Sequence, residues 1–79
     1  MTTAYTFDHN GSEFHADWLD DNHTRLSVRT SQSVIDEETG IDHTDWPSDG
    51  QVSAVVGVTV EFADAGDHSD ESEAIFRAV

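Results

Sequence analysis

Thr3-Ala4-Tyr5-Thr6-Phe7-Asp8-His9-Asn10-Gly11-Ser12-Glu13-Phe14-His15-Ala16-Asp17-Trp18 is the stretch from which the fold is read. Apolar and polar residues alternate on both sides of Asn10-Gly11. Alternation sends successive side chains to opposite faces of a strand. Asn-Gly is the dipeptide that best tolerates positive φ at both centres of a two-residue hairpin turn. Such a turn pairs Phe7 with Phe14, Tyr5 with Ala16 and Thr3 with Trp18. All six fall on one face, so turn chemistry and apolar pattern select the same register.

The next turn is read at Asp20-Asp21-Asn22, with Asn22 in the left-handed region that closes a three-residue loop. A third strand then sets Trp18 beside Thr24, Ala16 beside Leu26 and Phe14 beside Val28. On the other face Asp17 meets Arg25 and Glu13 meets Arg29. The chain therefore opens as a three-stranded meander over its first twenty-nine residues.

Residues 31 to 50 leave two readings open. Ser33 to Gly40 reads as one or two helical turns, with Ser33 as N-cap. It reads equally as a β-ribbon turning at Glu38-Thr39-Gly40 and returning through Ile41; the β-branched content favours the ribbon. Pro47 forces an extended backbone at Trp46, and Asp49-Gly50 reads as a turn. Gln51 to Phe62 is the most apolar stretch. Val52, Ala54, Val56, Val58, Val60 and Phe62 alternate with Ser53, Val55, Gly57, Thr59 and Glu61, which predicts a long central strand. An acidic loop follows from Asp64 to Ser72. Glu73 to Val79 returns as a final strand, with Phe76 opposite Phe62 and Arg77 opposite Glu61. A short helix over Ala74-Ile75-Ala78-Val79 is the competing reading.

The expectation is a single small β domain over residues 1–79. It is all-β, with about five mostly antiparallel strands in a curled sheet, small barrel or sandwich, and at most one short helix.

Composition speaks of environment. Asp and Glu number 17 against three arginines and no lysine, for a formal charge of −14 on 79 residues. Leu, Ile, Val and Phe together make 17 residues, about a fifth of the chain and near the borderline for charged chains that stay unfolded. Strong salt shifts that balance. The Debye length falls to about 3 Å near 1 M, so neighbouring carboxylates scarcely repel, and excluded salts strengthen apolar burial. In these totals the chain resembles cytosolic proteins of extreme halophiles, haloarchaea above all. The resemblance implies a high-salt cytosol, weakly associated K+ or other salt cations, and a surface whose acidity needs no basic partner to explain it. A virion component made in the same cytosol would carry the same composition. No charged-then-apolar signal pattern is read at the start of this sequence and no apolar run approaches membrane-spanning length, so the expectation is a soluble, intracellular protein.

Chemical motifs are sparse. The chain holds no cysteine, so disulfides, thiolate metal sites and cysteine nucleophiles are excluded. No nucleophile elbow, Walker loop or dinucleotide fingerprint occurs. The five histidines lack zinc-site spacing. His15 with Asp17 is the one surface pairing that suits a transition metal, against a background of histidines standing in for lysine. Asp64, Asp67, Asp70, Glu71 and Glu73 crowd one segment but lack the calcium-loop pattern. Asp42, His43 and Asp45 sit on an extended segment that scatters them to opposite faces. With three arginines, direct nucleic-acid binding lacks its electrostatic drive.

These observations predict a non-enzymatic structural or protein–protein interaction module of a haloarchaeon or its virus. It has no cofactor, and it contacts either a protein partner or further copies of itself. The contact residues expected are Trp46, an aromatic beside Pro47 in a polar segment, and the small-residue face Ser53, Val55, Gly57 and Thr59. Trp46 reads alternatively as a cap on an open end of the sheet. The alternative functions are an acidic regulatory protein or DNA mimic that captures a basic nucleic-acid-binding partner, and a metal- or ligand-binding protein.

Overall fold

A computed structural model describes residues 4–32, 34, 36–65 and 72–79. Asn10 and Gly11 take φ of 51° and 86°, the left-handed pair that a tight hairpin requires. They join β1 (Ala4–His9) to β2 (Ser12–Trp18). The register sets Phe7 against Phe14 and Tyr5 against Ala16, as the turn predicts. Thr3, the expected partner of Trp18, lies outside the described residues. Phe14, Ala16 and Trp18 are buried, and each excludes apolar surface from water; Phe14 alone is worth about 2–3 kcal/mol.

β3 (Arg25–Thr30) pairs with β2 in a register two residues away from the expected one. Trp18 faces Leu26 and Ala16 faces Val28. The cause is the loop. Asp20 accepts from the Thr24 amide at 2.9 Å, the Arg25 amide at 3.2 Å and the Thr24 hydroxyl. Leu19 closes the wider turn by donating to the Arg25 carbonyl at 2.8 Å. His23, not Asn22, takes the positive φ, 55°. A shift of two preserves which face each side chain occupies, but it changes the ionic partners. Asp17 bonds Arg29 instead of Arg25. Arg25 stands across from Arg77 and has no ion pair among the described residues.

Described residues on either side of the Glu38-Thr39-Gly40 turn bond to each other as the ribbon reading expects. Asp36 donates to the Ile41 carbonyl at 2.9 Å, and His43 donates to that of Val34 at 2.6 Å. The Asp36 carboxylate accepts from the Glu38 and Thr39 amides, and Gly40 completes the turn at φ 73°. Ser33 and Ile35 lie outside the described residues.

The long central strand expected from Gln51 to Phe62 does not form. Asp49–Val56 is a helix, α1, and only Val60–Ala65 is a strand, β4. Ser48 and Gln51 make a reciprocal capping box: the Ser48 hydroxyl accepts from the Gln51 amide, and the Gln51 side chain accepts from the Ser48 amide. Both bonds satisfy donors that a helix start leaves orphaned. Gly57 ends the helix at φ 82° and donates to the Ser53 carbonyl at 2.9 Å, a left-handed cap that a side chain would strain. Val52 and Val56, one turn apart, are the helix's buried residues. Asp49-Gly50, read as a turn, is the first turn of this helix.

β4 and β5 (Ser72–Ala78) pair with Phe62 opposite Phe76 and Glu61 opposite Arg77, as expected. The competing C-terminal helix is absent, because β5 is bonded on both sides, to β3 and to β4. A bulge falls between Phe62 and Asp64.

Among the described residues the fold is mostly β: five antiparallel strands in one open sheet, ordered β1-β2-β3-β5-β4, with one short helix. β4 is thus an edge strand and not a central one. The helix touches both edge strands, β4 and β1, so the sheet curls around it. Phe14, Leu26, Val28 and Phe76 from the sheet pack with Val52 and Val56 from the helix. The opposite face carries all three arginines among Glu13, Asp17, Glu61 and Glu73.

Candidate functional site

An unprotected β4 edge would offer its outward amides to another chain. Two helix side chains prevent that. Ser53 accepts from the Val60 amide at 3.0 Å, and Asp49, one turn earlier, accepts from the Phe62 amide at 3.1 Å. The spacing of four along a helix thereby matches the spacing of two along a strand. This clamp fixes the helix start beside Phe62 and leaves a hollow between them.

The hollow has a volume of about 410 Å³. Its walls are apolar, chiefly Trp46, Pro47, Phe62 and Phe76, with Ala65 and Ala74. Phe62 remains 54% exposed although its ring meets that of Phe76 edge-on at 5.9 Å. Asp42, Asp49 and Glu73 complete the lining. The Glu73 carboxylate is turned away, since it accepts from the Ser27 hydroxyl on the other side of the sheet. Asp42 accepts from the Trp46 indole at 3.0 Å and from the Thr44 amide at 2.9 Å. Two carboxylates are therefore each pinned to an aromatic wall residue: Asp42 to Trp46, and Asp49 to Phe62.

Trp46 is half-buried, with its ring 5.5 Å from that of Phe14. It packs against the core cluster and also forms a wall of the hollow. The remaining expected contact residues do not share a strand face. Ser53 is engaged in the clamp, and Val55 is half-buried against the core. Gly57 is the helix cap, and Thr59 accepts from the Val79 amide at 3.1 Å. Phe62 and Asp49, the residues that complete the hollow, were not signalled as a site by sequence. The signal available for Asp49 was the Ser48–Gln51 capping box, which places it in the first helical turn.

Near the first hairpin, Asp45 accepts from the Asn10 side chain, and His9 lies 3.5 Å away. The Asn10 hydrogen bond comes first, then the His9 charge, in holding the Asp45 carboxyl below its ordinary value. Asp42 and Asp45 thus serve different neighbours, and His43 is exposed. His15 contacts Glu13 at 3.1 Å while Asp17 is engaged with Arg29. Among the described residues no three His, Asp or Glu side chains converge as metal ligands. Most of the acidic segment from Asp64 to Glu73 lies outside the described residues. No helix among them is long and apolar enough to cross a membrane.

Comparison with protein families, curated proteins and solved structures finds no match.

Proposed function

We propose that this chain is a non-enzymatic interaction module, adapted to concentrated salt, which docks a protein partner at the hollow between Trp46 and Phe62. It would act in a salt-rich cytosol or in a particle assembled there. The observation that carries the reading is Phe62, a large aromatic left half-exposed beside an apolar cavity. Concave apolar sites with a few placed polar groups are where ligands and anchors bind, and aromatic residues dominate contact energetics. Each of the two rim carboxylates holds a wall residue in place, which gives both a structural role at the rim of the hollow. Carboxylates occur on both sides of the sheet and are interleaved with arginines on one of them. That spread favours docking through the hollow over imitation of a phosphate backbone.

The test is capture from a lysate kept in strong KCl, using the wild type and Phe62→Asp as baits, with light scattering on each. The expected result is a specific partner retained by the wild type and lost by Phe62→Asp, while circular dichroism stays unchanged. A wild-type chain that is strictly monomeric and retains nothing, or that loses nothing on Phe62→Asp, overturns the proposal.

A further inference from the structure

We infer that the hollow receives the side chain of a lysine or arginine from a basic segment of the partner. The inference rests on the docking reading above and names its occupant. Three aromatic rings, Trp46, Phe62 and Phe76, line the space, and aromatic faces attract cations, most strongly where water is excluded. Two carboxylates stand at the same walls, and both are held in place. Asp42 is fixed by the Trp46 indole and Asp49 by the Phe62 amide, so neither must be ordered on binding. Among the described residues no lining residue is cationic.

The chain's three arginines are elsewhere. Arg25, Arg29 and Arg77 lie on the face without the helix, where Arg29 is paired with Asp17 and Arg77 with Glu61. The hollow is thus apolar in its walls and negative in its charge. That combination suits a methylene stem ending in a cation, which buries its stem on apolar surface and leaves its head near carboxylates. The volume of about 410 Å³ lies at the small end of ligand sites, enough for a long side chain and too small for a folded element. Strong salt screens exposed pairs but acts less on a cation packed against rings.

The experiment is an amide and indole NMR titration of the full chain in strong KCl with two probes of similar size, n-butylguanidinium and uncharged 1-pentanol. n-Butylguanidinium is expected to shift the Trp46 indole and Phe62 amide signals, with an affinity about fivefold or more above that of pentanol. Asp49→Asn, which keeps an oxygen to accept from the Phe62 amide, should abolish most of that preference and leave pentanol binding unchanged. Equal affinities for the two probes refute the cation and leave the docking surface standing. No shift with either probe removes the hollow from both readings. Self-association that disappears in Arg25→Gln would place a second copy's arginine there and overturn the foreign partner.

Discussion

Replacing Ser53 by alanine tests the clamp that holds helix to sheet edge. The Ser53 hydroxyl donates to the Asp49 carbonyl at 2.7 Å and accepts from the Val60 amide at 3.0 Å. Val60 is 2% exposed, so its amide loses a partner where water has little access. An unsatisfied buried amide costs about 1–3 kcal/mol. Alanine returns roughly 0.5 kcal/mol through its higher helix propensity. The net loss is about 1–2 kcal/mol, which lowers the melting temperature of a domain this size by roughly 5–15 °C. The assay is thermal melting in strong KCl together with hydrogen exchange at the Val60 amide. Ala54→Ser, on the exposed side of the same helix, is the control and should change little. An unchanged melting temperature with unchanged Val60 exchange would refute the clamp.

Two further outcomes follow from charge. Dialysis into dilute buffer restores repulsion among the −14 charges, so the near-ultraviolet dichroism of the packed aromatics should be lost; a spectrum equal in dilute and concentrated salt contradicts the account of the composition. The Asp20 carboxyl is held below its ordinary value, first by the Thr24 hydroxyl and then by the Thr24 amide. A depressed carboxyl contributes stability above its unfolded value and loses it as pH falls through its folded one. Stability of the wild type should therefore decline more steeply below about pH 4 than that of Asp20→Asn, read as unfolding midpoints across the acid range, and parallel profiles would refute that role.

The first hairpin was legible in the sequence because local chemistry and burial pattern agreed at Asn10-Gly11. The second was half legible. Parity of the apolar residues fixed the faces, but the Asp20 side chain organises a wider loop that spacing does not reveal. The helix was misread because Val52, Val55 and Val56 satisfy a helical period while Val52, Val56 and Val60 also satisfy alternation. Ser48, Gln51 and Gly57 were the arbiters, since capping residues mark a helix where periodicity is ambiguous. The hollow was not legible at all. It depends on Asp49 reaching the Phe62 amide, a contact that exists only once the helix is packed against the edge.

Trp18 and Trp46 divide the optical behaviour of the molecule between them. Trp18, the last residue of β2, is enclosed, stacked at 4.8 Å on His23, and its indole nitrogen lacks a hydrogen-bond partner among the described residues. Trp46 sits half-exposed over Phe14, with its indole bonded to Asp42. Their emission colours should differ, so substituting either one converts the other into a single-site reporter. Opening of the meander and opening of the hollow can then be timed separately in the same chain.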